Sequence, residues 1–186
     1  MQKITREMLI EKASALIAEG KVDRVLGWKN GEFSYDVTPA LFASAEEMQK
    51  DFVFGDFCGA NFSKYLVKET KKDGKVLVFL KPCDAYSFNQ LLTEHRFDRE
   101  KVYAVGIPCD GMVDSNKVKA ICPDAISSIE ETENGLKATT IYGDVVEMDK
   151  KAVLFAKIQS VRQQSFFRVF QLRQNDCYLK LHLRRR

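Results

Sequence analysis

The sequence predicts an α/β fold: a parallel β-α-β core with an added antiparallel β-hairpin. Three observations predict it. Val76–Leu80 is a short unbroken apolar run, the mark of a strand buried on both faces, and Lys101–Ile107 reads as the next buried strand. Between them, Ala85–His95 places Phe88, Leu91 and Leu92 on one helical stripe. Two parallel strands joined by a helix make the β-α-β unit. Further on, Ile126–Glu131 and Leu136–Tyr142 flank Glu133-Asn-Gly135, a hairpin turn signal.

The other elements follow in chain order. Residues 5–19 read as an amphipathic helix, with Thr5 at its start and Gly20 at its end. Met8, Leu9, Ala13, Leu16 and Ile17 form its apolar face. A strand is expected over Val22–Trp28, with Trp28 as packing. Asn30-Gly31 then turns the chain into a second short run, Glu32–Tyr35. Ser44-Ala-Glu-Glu47 is a capping box, so a short helix starts at 44. Asn61 to about Lys71 reads as another helix, with Phe62, Tyr65 and Leu66 on one face and Asp73-Gly74 as its exit. Asp84 is expected to cap the helix that follows Val76–Leu80. Val145–Met148 adds a third strand to the hairpin, and Lys151–Ala156 is a strand or a helix start.

The chain of 186 residues is expected to hold one α/β domain over 1–157 and a basic irregular tail over 158–186. The charge divides at that boundary. Residues 1–157 hold 22 Lys/Arg and 25 Asp/Glu, whereas residues 158–186 hold seven Lys/Arg and only Asp176 as an acid. The net charge of +3 is therefore no sign of a basic surface on the body, and a nucleic-acid role is not expected of it. No apolar run reaches the roughly 20 residues that span a bilayer, and MQKITREMLIEK is too charged for a signal peptide. The expected setting is cytoplasmic. An odd count of five cysteines argues against a disulfide scaffold.

Residues 76–84 read VLVFLKPCD and residues 102–110 read VYAVGIPCD, so Cys83 and Cys109 recur 26 residues apart at two strand ends. Ligands of parallel sheets bind outside the carboxyl ends of the strands. Neighbouring parallel strands lie about 5 Å apart, so the thiols are expected within about 5–10 Å of each other. A helix start after Cys83, and Lys81 before it, would both lower its thiol pKa. Asp110-Gly111 after Cys109 lets backbone approach a ligand closely. The plainer alternative is that both cysteines are buried filler beside ordinary turn residues.

Cys58, in Asp-Phe-Cys-Gly-Ala-Asn, is a third candidate at a helix boundary, with small apolar filler as the alternative. Cys122-Pro-Asp-Ala-Ile126 matches the end of a bacterial ferredoxin motif by coincidence, since no C-x2-C precedes it. Cys177 lies in the tail and carries no assignment. The chain has no GxGxxG, P-loop, GxSxG or HExxH motif, and neither His95 nor His182 has a partner suggesting a triad or zinc site.

The strand ending Lys-Pro-Cys-Asp, the helix after it, and the strand ending Gly-Ile-Pro-Cys-Asp-Gly-Met resemble the beta subunits of deazaflavin-reducing hydrogenases and dehydrogenases. Asp56-Phe-Cys-Gly-Ala-Asn-Phe-Ser-Lys-Tyr-Leu66 is similar to the same family. The resemblance covers residues 20–157. It implies an electron-transfer module of an oxidoreductase complex, with FAD or FMN and a 4Fe–4S cluster as cofactors. Other subunits of a redox complex, or a ferredoxin-like carrier, are the implied partners. It points to Cys58, Cys83 and Cys109 as metal-ligating or pocket residues. With it, Lys81, Cys83, Asp84, Cys109, Asp110 and Gly111 form the expected cofactor-binding set, backbone N–H groups near Asp84 and Gly111 receiving anionic groups.

One departure bears on the site. Such proteins carry Lys-Cys-x-x-Cys after the run Ala152–Lys157, and this chain reads Lys157-Ile158-Gln159-Ser160-Val161. The tail therefore reads as a truncated or altered end, or alternatively as a basic segment that docks nucleic acid or an acidic partner. Two other readings stand beside the redox module: a non-catalytic scaffold with structural cysteines, and a Cys83–Cys109 redox pair, which needs Cα atoms within about 7 Å.

Overall fold

In the computed structural model the described residues are 4–33, 35–109, 111–132 and 135–154. The expected tail (158–186) and Asp110 lie outside them. The fold is mixed α/β, with a four-stranded sheet containing parallel strands and a separate three-stranded antiparallel sheet.

Helix α1 spans Arg6–Ala18, and the Thr5 hydroxyl accepts from the Met8 N–H at its start. Gly20, at φ +64°, takes the left-handed turn that releases the chain, a conformation glycine adopts without steric penalty. Strand β1 (Arg24–Asn30) pairs antiparallel with β2 (Val37–Phe42). The hairpin is as expected, but its second strand is not Glu32–Tyr35. The return strand starts later and includes Pro39, opposite Trp28. β2 is the sheet's outer strand, where a missing N–H leaves no ladder bond broken.

Ser44 caps α2 (Ala45–Asp51) by accepting from the Glu47 N–H, and the Glu47 carboxylate accepts from the Ala43 N–H. Helix α3 covers Ser63–Glu69. Strand β3 (Val76–Leu80) is buried at every position and lies between β1 and β4 (Val102–Gly106), parallel to both. Helix α4 joins β3 to β4 and spans Pro82–Thr93. It begins earlier than Asp84 capping would give. Pro82 occupies the first helical position, where its absent N–H is no loss. Asp84 instead folds back one turn, its carboxylate accepting from the Lys81 backbone N–H at 3.1 Å.

Leu9 and Leu16 of α1, Met48 of α2, Leu66 of α3 and Phe88 of α4 pack with the strands into one core. A second cluster forms where β5 (Ile126–Glu131), β6 (Gly135–Thr140) and β7 (Val145–Asp149) meet two short helices. The meander matches the expected hairpin plus third strand. The first of these helices, α5 (Ser115–Ile121), is capped by Asp114 and has no counterpart in the sequence reading: only Val118 of it is buried, too little for a visible stripe. The ambiguous run after β7 begins as a helical turn, α6 (Lys150–Val153). Among the described residues no helix is long and apolar enough to cross a membrane.

Candidate functional site

The β3–β4 ladder runs from Val76↔Val102 to Leu80↔Gly106, and the Ile107 N–H donates to the Leu80 carbonyl at 2.9 Å. Cys83 and Cys109 therefore each lie three residues beyond the last paired position, at the same edge. They are close enough that Cys109 raises the pKa of Cys83, and neither is in a disulfide.

A third segment completes the edge. The Val113 N–H donates to the Asp56 carbonyl at 2.9 Å, which ties the loop after β4 to the Asp56–Leu66 stretch. The same stretch is bound to the start of α4. Asn61 donates from Nδ2 to Ser87 Oγ at 2.7 Å, and Ser63 Oγ donates to the Asp84 carbonyl at 2.8 Å. Asn61 Oδ1 also accepts from the Ser63 N–H, which organises the entry to α3.

Lys81 lies at the centre of these contacts and is fully buried. Its Nζ is 3.0 Å from Asp84 Oδ2 and donates to the Ala60 carbonyl at 3.0 Å. The ammonium also lies 4.8 Å from the Trp28 ring centroid and 5.6 Å from that of Phe62. Aromatic faces attract a desolvated cation. Every direction open to the ammonium is thus met by protein. Burial holds the Asp84 carboxyl above the usual range, although Lys81 opposes this.

The thiols do not behave as the helix start suggested. Cys83 is exposed at its outer side, yet protein crowds its sulfur, and burial is the first cause pushing the thiol up from about 9 to about 11. The negative charge of Asp84 adds to this, and Lys81 works against it without prevailing. The Cys58 thiol is also raised to about 11, chiefly by burial. Cys58 has no exposed surface; its Sγ accepts from the Gly55 N–H at 3.3 Å and donates to the Val53 carbonyl at 3.7 Å.

Of the expected cofactor set, Lys81, Cys83, Asp84, Cys109 and Gly111 therefore share one edge, with Gly111 at φ +132°. Asp110 lies outside the described residues. Cys58 lies in the core beneath, near enough that Lys81 lowers its pKa against the effect of burial. Among the described residues no group of three or more His, Cys, Asp or Glu is gathered to hold a metal ion. Sequence reading missed Asn61, Ser63 and Ser87 as organisers of the edge. The only available signal was the Asp56–Leu66 resemblance.

Sequence comparison finds relatives of this chain among beta subunits of F420-dependent formate dehydrogenases. No family model matches the sequence. The chain is 31% identical over 99 residues to the F420-dependent formate dehydrogenase 1 subunit beta of Methanococcus maripaludis, a match covering 53% of this chain and 25% of that protein. It is 31% identical over 98 residues to the F420-dependent formate dehydrogenase subunit beta of Methanocaldococcus jannaschii, covering 53% of this chain and 26% of that one. The match thus spans about a quarter of each curated relative's length. Among solved structures, a chain of the F420-reducing NiFe hydrogenase complex from Methanosarcina barkeri aligns with a TM-score of 0.55 at 17% identity, over 80% of this chain and 56% of that one. That likeness supports the fold.

Proposed function

We propose that the chain is an electron-transfer module of a deazaflavin-dependent oxidoreductase complex, and that the β3–β4 edge borders its flavin site, FAD or FMN. The observation carrying this reading is the parallel register that brings Cys83 and Cys109 to one edge. The relatives' names supply the class of complex, and other redox subunits or a ferredoxin-like carrier are its partners.

The described residues do not fit a complete 4Fe–4S cluster. Such a cluster takes four cysteine thiolates, and no three candidate ligands are gathered among the described residues. A flavin suits the edge better. In the first turn of α4 Pro82 has no N–H and the Asp84 and Ala85 N–H groups donate to the Lys81 carbonyl, so the close backbone approach to a flavin is at Gly111. When bound, a flavin supplies one- or two-electron exchange. The chain's own part is to hold and shape the site. With its pKa near 11, Cys83 stays protonated at neutral pH, so it serves as a neutral wall and not as a nucleophile.

The test is anaerobic purification followed by incubation with FAD or FMN, then flavin absorbance and iron analysis of the desalted protein. Retained flavin with substoichiometric iron is expected. A protein that stays flavin-free after reconstitution would remove the proposal. A structural reading holds for Cys58, whose burial and two local hydrogen bonds suit packing. Cys58→Ala should lower stability and leave flavin retention intact.

A further inference from the structure

Gly59 is exposed, and no requirement of the fold accounts for a glycine there. Gly20 and Gly143 take left-handed φ, and Gly27 has the Phe52 ring 2.6 Å from where a Cβ would stand. Gly59 has neither feature. Its φ is outside the left-handed region, and among the described residues no atom beyond its chain neighbours lies within 4 Å of a Cβ built on it. Nor is it a hinge. The Cys58 N–H donates to the Gly55 carbonyl at 3.2 Å, the Gly59 N–H to the Phe57 carbonyl at 2.8 Å, and Lys81 Nζ to the Ala60 carbonyl at 3.0 Å. A side chain would fit the chain's own structure. The remaining use of a missing one is the close approach of something from outside the chain.

The stretch that carries Gly59 crosses the candidate edge. On one side the Asp56 carbonyl takes the Val113 N–H, from the loop that carries Gly111 after β4. On the other, Ala60 is fastened to Lys81 at the start of α4, and Asn61 to Ser87 within it. Gly59 lies between these ties, on the segment that runs from the β4 end to the β3 end. We infer that the Gly59 backbone is the contact surface for the planar ring of the flavin, kept bare so that the ring can lie against it. The inference rests on the edge being the flavin site. The hydrogen bonds favour the ring over the phosphate. The Gly59 N–H is committed to Phe57, so it cannot receive an anion. What remains is a peptide plane with no projecting side chain, and a flat ring gains most contact on such a surface.

The test uses the full-length protein and a size series, Gly59→Ala and Gly59→Val, with riboflavin, FMN and FAD as probes. Thermal midpoints are measured beside fluorescence titrations of each flavin. Because the new Cβ meets open space, Gly59→Ala is expected to fold with a midpoint equal to or above that of wild type, since alanine has fewer unfolded conformations to lose. The same substitution should weaken all three flavins. Gly59→Val should weaken them further, by about tenfold or more, because a ring lifted off the backbone forfeits its contacts. Riboflavin decides the assignment, having the ring and no phosphate. Weaker FMN and FAD with riboflavin unchanged would place a phosphate at Gly59 and overturn the inference. Wild-type affinity in a folded Gly59→Val overturns it too. So does a lower midpoint in Gly59→Ala, which would make the glycine a need of the fold. Where Gly59→Val fails to fold, Gly59→Ala decides by the same two readouts. A wild-type protein that binds none of the three flavins removes the flavin proposal and this inference together, whereas flavin bound equally by wild type and variants removes this inference alone.

Discussion

The two sheets solve burial differently. In the four-stranded sheet, β3 is buried on both faces, and its carboxyl end delivers a buried ion pair and a thiol to one edge. In the three-stranded sheet only one face is covered. Leu136, Ala138 and Met148 face Val118 and Val153, while Ile141, Tyr142 and Val145 stay exposed. The first sheet can place charge in the interior because the start of α4 and the Asp56–Leu66 stretch enclose the carboxyl end of β3. The second can only pack. Chemistry is therefore expected to be sensitive to change at one end of the molecule and indifferent at the other.

The largest expected effect breaks the interior charge pair. Removing one partner of a buried ion pair leaves the other uncompensated and costs about 3–5 kcal/mol. Lys81→Met should therefore lower the denaturant midpoint sharply. Lys81→Met/Asp84→Asn should recover part of the loss, because no buried charge is then stranded. Equal midpoints for the single and double variants would show that Asp84 is not held by Lys81 in solution.

The second effect is a pH dependence. Folding raises the Cys58 thiol from about 9 to about 11. A group with a raised folded pKa contributes stability that is complete below the unfolded value and lost as pH rises through the folded one. A rise of that size corresponds to about 3 kcal/mol, so stability should fall between pH 9 and 11 by up to that amount. Comparing urea midpoints of wild type and Cys58→Ala across this window isolates the contribution from lysine titration. Parallel curves would mean that Cys58 is ionised or exposed in the folded protein.

These residues also show what sequence reading can reach. The β-α-β unit was legible because VLVFL and VYAVG are unbroken apolar runs of strand length on either side of a helical stripe; VLVFL is buried at every position, while β4 at the sheet's edge leaves Tyr103 and Gly106 half-buried. The shared edge followed from topology. The level of the thiol pKa did not, because it depends on Asp84 turning back beneath Cys83 and on protein crowding the sulfur. Lys81 looked like a ligand contact for the same reason: a lysine beside a strand end has no sequence mark that it is capped by Trp28 and Phe62. The late start of β2 was hidden by Pro39, which argues against a strand except at an edge. Helix α5 buries one side chain and gives no periodic signal.

A smaller effect is expected where the Asp56–Leu66 stretch is sewn to α4. Ser87 accepts from Asn61 and donates toward the Asp84 carbonyl at 3.0 Å. Ser87→Ala leaves Asn61 Nδ2 short of its acceptor, which costs about 1 kcal/mol. The thermal midpoint should fall by a few degrees, on the order of 2–4 °C for a chain this size.

The smallest effect belongs to the second sheet. Tyr142 and Val145 flank the β6–β7 turn and are mostly exposed. The turn itself is held from inside: Thr140 Oγ1 accepts from the Tyr142 and Asp144 N–H groups, and Gly143 at φ +92° completes the reversal. Because the Thr140 hydroxyl and the turn's backbone N–H groups set the turn, the side chains of Tyr142 and Val145 are not needed for it. Tyr142→Ser and Val145→Thr should each change stability by less than about 0.5 kcal/mol. Thr140→Val at the same turn should cost more, since it removes the acceptor for both N–H groups within a buried site. If Tyr142→Ser proved as damaging as Thr140→Val, the outer face of this sheet would be doing more than closing a turn, and the contrast between the two sheets would fail at its weaker side.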